Sequence, residues 1–420
     1  MDKIADAKYV SPTEGAGASG SLPSLCMATT SCACDFKPLP FQRRPMGERD
    51  VVIDMKFCGV CHSDLHSAAS HLKKEEYPFV PGHELAGVVR AVGRGVTKCQ
   101  VGQQVGVGCI IDACLKCSKC KDGEEQACTK GSTGTYGSKD KHGRAGTFPP
   151  GGQTLGGYTT LTVVDEHFVV VIPQDYPLQF AGPVMCAGIT MYDPLKKRGA
   201  TKGTRVGIVG LGGLGVMGVK LAVALGCEVT VISRAESKRA LAQNCGASHF
   251  LIHTDSQEML EHAKSLDLIL NTVPVFHDYL KFQTLLDGKN ARQVILGLHK
   301  GLIAGFLTHA VTCGMSRVMA SGIGGIKNTQ EVIDLCHQNN IYPEVEVFSA
   351  ERLNEVFEIL DKANDKGLRY VMDIAGTLNA DTEEKCKDKA PPDLGPSQSG
   401  FSLCGIICHS CKVLCCCKWC

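Results

Sequence analysis

The sequence lacks the features that would direct the chain to a membrane, to secretion or to nucleic acid. No uninterrupted apolar run reaches about 18 residues, and no basic stretch followed by an apolar one opens the chain. Forty-four basic residues face 43 acidic ones, so the net charge of +1 provides no field that attracts DNA, RNA or an anionic membrane. We therefore expect a chain that is neither secreted nor membrane-spanning and that binds no nucleic acid.

The cysteines are not spaced as in a secreted disulfide framework, in which dispersed pairs are usual. Of 24 cysteines, four lie in a short metal-ligand pattern and seven lie in the last 17 residues. This distribution predicts a reducing environment, so we expect a cytoplasmic protein.

The order of apolar runs predicts an α/β protein with two domains. Short β-like runs punctuated by glycine follow Asp50, and the first half is expected to be mostly β. After Thr204 the segments VGIVG, LGGLGVMGVKLAVALG and EVTVIS predict a βαβ unit, and further alternation predicts a parallel sheet covered on both faces. The segment from about Asn328 to Gly376 is expected to return to the first domain.

Both ends of the chain are expected to be tails. Residues 1–35 are poor in large apolar side chains and offer little to offset the entropy of ordering. Residues 379–420 are polar, then proline-rich, then rich in cysteine. A disordered extension, an acylated segment that would contact a membrane and a further metal site remain open for this tail. Prenylation is excluded, because Lys418 and Trp419 follow Cys417.

One group of cysteines has the spacing of a closed metal site, C-x2-C-x2-C-x7-C. Four thiolates this close can surround Zn²⁺ and leave no open position, which predicts a structural zinc. The alternative, four packing cysteines, is disfavoured because charged residues are interleaved with them. The predicted ligands are Cys114, Cys117, Cys120 and Cys128.

A second set of metal-binding side chains is spread over three segments. Cys61 lies in CGVCHSDLH, His83 and Glu84 lie in VPGHELAGVV, and Cys186 lies in MCAGIT. Two thiolates and one imidazole leave a position open for substrate, as a Lewis-acid zinc requires. Taken singly, each residue also fits a purely structural role.

A glycine-rich turn follows the apolar run VGIV and opens a predicted helix, at Gly210, Gly212, Gly213 and Gly215. Backbone amides there can bind a pyrophosphate, although glycines used only for close helix–sheet packing give the same pattern. The next strand ends in Ser233 and Arg234, with Lys238 nearby, where an NAD site would have a carboxylate. These residues favour the 2′-phosphate of NADP(H), with ordinary solvated charges as the alternative.

The motifs GVCHSDLH, PGHE, the four-cysteine segment, CAGIT and GLGGLG occur in the order seen in zinc-dependent medium-chain alcohol dehydrogenases. From Pro38 to Gly376 the chain resembles the branch of cinnamyl alcohol dehydrogenases and microbial aldehyde reductases. The resemblance implies a GroES-like β-rich catalytic domain at 36–186 and 326–378 that encloses a Rossmann domain at 187–325. It also implies a homodimer.

The resemblance further assigns roles to single residues. It implies that Cys61, His83 and Cys186 ligate the catalytic zinc, with Glu84 as an alternate ligand. Ser63 would contact the zinc-bound alcohol and His66 would end a proton relay through the cofactor ribose. The further cofactor contacts that it implies are Thr190, Thr272, Gly297, Ser321, Gly322 and Ile323.

The implied function is hydride transfer between the nicotinamide of NADP(H) and a zinc-bound carbonyl or alcohol, with two zinc ions per chain. Thr133 stands where plant enzymes carry a tryptophan, which favours broad aldehyde reduction over a lignin-type substrate. Two alternatives stay open. One is an NAD-dependent polyol or formaldehyde dehydrogenase of the same superfamily, and the other is a non-catalytic zinc-containing nucleotide-binding protein.

Overall fold

A computed structural model describes residues 20–145, 152–275, 277–297, 317–362 and 367–379. The predicted C-terminal tail therefore lies outside the described residues, apart from Asn379. In the described parts no helix is long and apolar enough to cross a membrane.

The described strands alternate with short helices, and Val184–Gly188 is a π-helix. The strands are β1 Leu22–Thr29, β2 Phe36–Arg43, β3 Asp50–Val60, β4 Glu84–Val92, β5 Gln104–Val107, β6 Ile110–Asp112, β7 Thr133–Gly134, β8 Leu161–Asp165, β9 Val169–Val171, β10 Arg205–Val209, β11 Glu228–Ser233, β12 His249–Ile252, β13 Leu268–Asn271, β14 Arg292–Ile295, β15 Val318–Ala320, β16 Val345–Ser349 and β17 Arg369–Asp373. The α-helices are α1 His62–Ala68, α2 Ser118–Lys121, α3 Leu178–Pro183, α4 Ile189–Lys197, α5 Gly213–Ala224, α6 Arg239–Asn244, α7 Ser256–Glu261, α8 Ile326–Gln338, α9 Leu353–Asp361 and α10 Ile374–Thr377. The 3₁₀-helices are Glu125–Ala127, Glu166–Phe168, Glu236–Lys238, Leu280–Leu285 and Ala350–Arg352.

A mostly antiparallel sheet forms the β-rich part of the molecule. Its strands lie in the order β16-β17-β3-β4-β5-β9, and β8 also pairs with β3. The last strand, β17, pairs antiparallel with β3, with Tyr370 opposite Val60. The chain therefore returns to its first sheet after the second sheet is complete.

The second sheet has six parallel strands in the order β12-β11-β10-β13-β14-β15. Numbered within this sheet the order is 3-2-1-4-5-6, the arrangement of a Rossmann fold. Its inner strands are almost wholly apolar and buried, as expected of a parallel sheet that is covered on both faces. The predicted α/β fold class is confirmed.

The predicted N-terminal tail at 1–35 is wrong for Leu22–Thr29, which forms β1. This strand pairs antiparallel with β2 over eight positions, and its own residues Cys26, Met27 and Ala28 are buried. Pairing satisfies the backbone hydrogen bonds, and small side chains suffice to fill the space under a short hairpin. Residues 1–19 lie outside the described residues, and the other domain boundaries remain predictions.

Candidate metal centres and nucleotide site

The second set of metal-binding residues meets at one place. Cys61 is the N-cap of α1, directly after β3, while His83 and Glu84 lie at the start of the neighbouring β4. Cys186 reaches them from the π-helical segment, a helix type that is frequent at functional sites. Their ligand atoms all lie within 4.8 Å of one another, and His83 Nε2 is 3.2 Å from Cys186 Sγ.

Asp64 positions the residues of this cluster through hydrogen bonds. Its buried carboxylate accepts hydrogen bonds from Cys61 N at 2.9 Å, Gly82 N at 3.0 Å and Tyr158 Oη at 3.1 Å. His83 Nδ1 lies 3.0 Å from the same carboxylate and donates to it, so the other ring nitrogen, Nε2, offers its lone pair to the cluster. Asp64 was not predicted from the sequence, although an acidic residue three positions after an N-cap can signal a capping box.

Arg369 on β17 joins the cluster to the glycine-rich turn. Its Nη2 donates to Glu84 Oε1, and a Cβ added to Gly213 would lie 2.7 Å from Arg369 Cδ. The sequence analysis missed this residue as well. No motif surrounds it, and only the pairing of β17 with β3 brings it to the cluster.

The electrostatics of the cluster suit a divalent cation. A hydrogen bond from Cys186 holds the pKa of the Cys61 thiol well below its ordinary value; Arg369 lowers it further, whereas burial opposes both. Burial raises the pKa of Glu84 to about 7, although Arg369 lowers it. Glu84 Oε2 is buried and has no hydrogen-bond partner among the described residues. Two sulfur donors, an imidazole and this carboxylate oxygen form a donor set that fits zinc with one exchangeable position.

The two predicted relay residues lie on α1. Ser63 Oγ is 3.7 Å from Cys61 Sγ, at the metal cluster. His66 lies one turn further along and is half-buried, with its Nδ1 3.3 Å from Nδ1 of His71. The helix therefore leads from the cluster toward the surface.

The four-cysteine segment folds into a second, separate cluster around α2. The four sulfur atoms lie within 4.8 Å of one another, with Cys117 Sγ 3.6 Å from Cys120 Sγ. Hydrogen bonds that include one from the backbone amide of Cys120 lower the pKa of Cys117 to about 5, which favours the thiolate that zinc binds. Because all four donors come from protein, this site fits a structural zinc.

The glycine-rich turn has the geometry that a dinucleotide site needs. Gly210 follows β10 with a φ of +88°, and Gly212 is the N-cap of α5. A Cβ on Gly215 would lie 2.1 Å from Gly210 O, so only glycine lets the helix approach the strand this closely. The amides at the start of α5 therefore face the crevice above β10.

Several other predicted cofactor contacts follow the neighbouring strands of this sheet. Thr272 comes directly after β13, the strand beside β10 at the point where the strand order reverses, and its Oγ1 donates to Val209 O at 2.9 Å. Gly297 follows β14, and Ser321 and Ile323 follow β15, whereas Thr190 lies on α4. The structure thus brings the residues after β10, β13, β14 and β15 to one edge of the sheet.

The turn after β11 carries the predicted phosphate-binding residues. Ser233 ends the strand, and its Oγ accepts a hydrogen bond from Ala235 N at 3.2 Å. Arg234 follows and is exposed, and Lys238 lies in the next 3₁₀-helix. The one acidic residue of this turn, Glu236, is paired with Arg239 at 3.0 Å, so it leaves Arg234 uncompensated.

Comparisons with known families agree with this geometry. Residues 47–174 match the family "Alcohol dehydrogenase GroES-like domain", and residues 213–338 match "Zinc-binding dehydrogenase". The fold and the two clusters thus define a two-domain zinc-binding dehydrogenase.

Several characterised proteins are similar over most of this chain. Cinnamyl alcohol dehydrogenase 8 of Arabidopsis thaliana is 43% identical over 347 residues, which are 82% of this chain and 93% of that protein. The 8-hydroxygeraniol dehydrogenase of Catharanthus roseus is 41% identical over the same extent. NADP-dependent alcohol dehydrogenase C of Mycobacterium tuberculosis is 41% identical over 335 residues, 79% of this chain and 93% of that one.

Solved structures give the same result. CAD from Helicobacter pylori, complexed with NADP(H), has a TM-score of 0.74 at 37% identity and covers 85% of this chain and 99% of its own. A cinnamyl alcohol dehydrogenase of Sorghum bicolor has a TM-score of 0.75 at 35% identity, covering 84% and 98%. The chain belongs to the zinc-dependent medium-chain alcohol dehydrogenases, in the branch of the cinnamyl and NADP-dependent enzymes.

Metal analysis offers a direct check of the two clusters. Protein purified in reducing buffer is expected to contain two zinc ions per chain, because two separate donor sets are present. Atomic absorption or inductively coupled plasma mass spectrometry measures this ratio. A chain that retains a single zinc after gentle purification would contradict one of the two assignments.

Proposed function

We propose that this alcohol dehydrogenase uses NADP(H) to interconvert small alcohols and aldehydes. The observation that carries the proposal is Arg369, which touches both the open metal cluster and the glycine-rich turn. Metal and dinucleotide sites therefore share one crevice, as hydride transfer requires. Two of the similar proteins, NADP-dependent alcohol dehydrogenase C and the CAD that was solved in complex with NADP(H), support this choice of cofactor.

In this proposal Cys61, His83 and Cys186 hold the catalytic zinc, which supplies Lewis-acid polarisation of the substrate oxygen. Glu84 stays close as an alternate ligand, because Arg369 fixes its other oxygen. Ser63, at the cluster, exchanges the proton of the substrate hydroxyl, since a hydroxyl both donates and accepts. His66, one turn further along α1, would receive or return that proton when the cofactor is bound.

The cofactor is held along one edge of the parallel sheet. The amides of α5 bind the pyrophosphate, while Gly210, Gly212, Gly213 and Gly215 keep side chains out of its way. Arg234 and Lys238 bind the 2′-phosphate, and Ser233 adds a hydrogen bond without a carboxylate's repulsion. The remaining proposed contacts are Thr190, Thr272, Gly297, Ser321 and Ile323.

We also propose a cytoplasmic homodimer. Within the described residues β15 is an edge strand of the parallel sheet, and its backbone groups can pair with a second copy.

The proposed substrate range is broad. Thr133, which is fully buried on β7, stands where plant enzymes carry a tryptophan, and its smaller side chain supports the use of a broad range of aldehydes.

A panel of aliphatic and aromatic aldehydes assayed with NADPH and with NADH tests the proposed function. We expect NADPH-dependent reduction of several aldehydes, with kcat/KM about tenfold or more above that with NADH, since one charge-assisted hydrogen bond contributes about 1.5–3 kcal/mol. Equal use of NADH would favour the polyol or formaldehyde dehydrogenase. No turnover by protein with its full zinc content would favour a non-catalytic nucleotide-binding protein.

A further inference from the structure

Helix α1 carries Ser63 and His66, and the turn at its C-terminal end places His71 against His66. Ser70 adopts a φ of +54°, and Ser70 N donates to Ser67 O at 2.8 Å. His71 N donates to His66 O, also at 2.8 Å. This pair of hydrogen bonds is a Schellman motif, which turns the chain back over the last turn of the helix.

The motif is held in place although serine, not glycine, occupies its left-handed position. Ser70 Oγ is 2.9 Å from Tyr77 Oη and accepts a hydrogen bond from Glu75 N at 3.2 Å. Tyr77 Oη in turn donates to Ala68 O at 2.8 Å. These contacts offset the cost of the left-handed serine, so the orientation of His71 is built into the fold.

The result is a direct contact between two imidazoles. The Nδ1 atoms of His66 and His71 are 3.3 Å apart, with ring centroids 5.5 Å apart and planes inclined by 50°. One Nδ1 must carry a proton and the other must accept it. His66 is half-buried and His71 is exposed, so the pair leads from the helix to solvent.

We propose that His71 is the outer proton-transfer residue of this enzyme and acts through His66. The inference rests on the proposed role of His66. In alcohol oxidation His66 would accept at Nε2 the proton that leaves the substrate and would give its Nδ1 proton to Nδ1 of His71. His71 then releases its Nε2 proton to water, and aldehyde reduction reverses each transfer. No electrons move in these steps, and each imidazole ends neutral with its proton on the other ring nitrogen. Proton exchange with water returns both rings to their starting tautomers before the next oxidation.

Several other titratable groups lie on α1, on the loop that follows it and on the helix that packs against it. On α1, His62 Nε2 is 3.1 Å from Leu360 O, and Asp64 is occupied by the metal cluster. On the following loop Glu75 pairs with Lys73 at 3.3 Å. The remaining charged groups of the loop and of α9, which packs on α1, are Lys74, Glu76, Glu355, Glu358 and Asp361. Of the groups on these elements, His71 is the one whose ring nitrogen contacts His66 directly, at 3.3 Å.

The test compares proton release with cofactor reduction during alcohol oxidation by the zinc-loaded enzyme. In dilute buffer a pH-indicator dye follows proton release. Absorbance follows NADPH formation at low and high concentrations of HEPES, at the same starting pH and ionic strength. The variants are His71→Asn, His66→Asn and the double variant. The control is His249→Asn. His249 is an exposed histidine on the outer strand β12, and its ring contacts Glu228 on the neighbouring strand β11.

In dilute buffer His71→Asn is expected to slow proton release about three- to tenfold. This is less than the usual contribution of an acid–base group, because the half-buried His66 can still exchange protons with water. Concentrated HEPES should restore the rate of NADPH formation, since it replaces the missing proton acceptor. The double variant should be no slower than His66→Asn, because the residues act in series.

Unchanged proton release in His71→Asn, or a loss that buffer does not restore, would overturn the inference. If His66→Asn slows the reaction and His71→Asn does not, the inference alone fails. If neither variant changes proton release while turnover persists, the proposed relay role of His66 fails as well.

Discussion

Replacing Cys61 with serine is expected to lower kcat by about a thousandfold or more while the protein remains folded. A serine hydroxyl stays protonated at neutral pH, so the cluster would lose one of its two thiolates and its hold on zinc. Loss of about 4 kcal/mol of transition-state stabilisation corresponds to this factor. The helix would be preserved, because Cys61 is the N-cap of α1 and serine is a favourable N-cap. Turnover, zinc content and the far-ultraviolet circular dichroism spectrum check the three parts of this prediction.

Cys117→Ser is the matched control, because Cys117 is likewise the N-cap of its helix, α2. This change opens the four-cysteine cluster, whose zinc has no contact with substrate in the proposed function. We expect the thermal midpoint to fall by roughly 5 °C or more, with residual activity per folded molecule, since loss of a structural zinc removes folding free energy. Equal loss of folding in both variants would contradict the separate roles of the two clusters.

The double substitution Ser233→Asp with Arg234→Ala is expected to reverse the preference from NADPH to NADH. Loss of the guanidinium removes about 1.5–3 kcal/mol of phosphate recognition, or roughly 10- to 100-fold in affinity. The new carboxylate repels the 2′-phosphate and accepts hydrogen bonds from the ribose of NADH. The turn should survive, because an aspartate at this position can accept the hydrogen bond from Ala235 N that Ser233 accepts now.

Arg239→Ala tests whether any positive charge on this turn would suffice. Arg239 is paired with Glu236 and its guanidinium stacks 4.6 Å above the ring of Phe250, so it is already engaged. We expect its removal to leave the ratio of kcat/KM for the two cofactors unchanged. A double variant that keeps the original ratio, or an Arg239 variant that shifts it, would place the phosphate site elsewhere.

The parts that could be predicted from sequence are those fixed by local spacing or by the period of apolar residues. The strand EVTVIS coincides with β11, and four closely spaced cysteines converge as their spacing implies. A glycine-rich turn between a strand and a helix can also be predicted, because its pattern is contained in a few consecutive residues. Gly210, with its positive φ, is one example.

What could not be predicted depends on contacts between distant segments. Asp64 and Tyr158 are 94 residues apart, and their hydrogen bond exists only because both lie beneath the same cluster. Arg369 acquires its contact with Glu84 from a strand pairing that no local pattern encodes. The hairpin strand β1 was missed because Cys26 and Ala28, although buried, add little to a count of large apolar side chains.

The pairing of Glu84 with Arg369 also has a consequence for the time course of biosynthesis. The two residues are 285 positions apart, so at about 5–20 residues per second the ribosome takes roughly 15–60 s to supply the cation after the carboxylate. The four-cysteine segment, by contrast, spans only 14 positions from Cys114 to Cys128 and is complete within about 3 s. The nascent chain can therefore load its structural zinc during synthesis, whereas the catalytic centre acquires its last component only when the final strand is inserted.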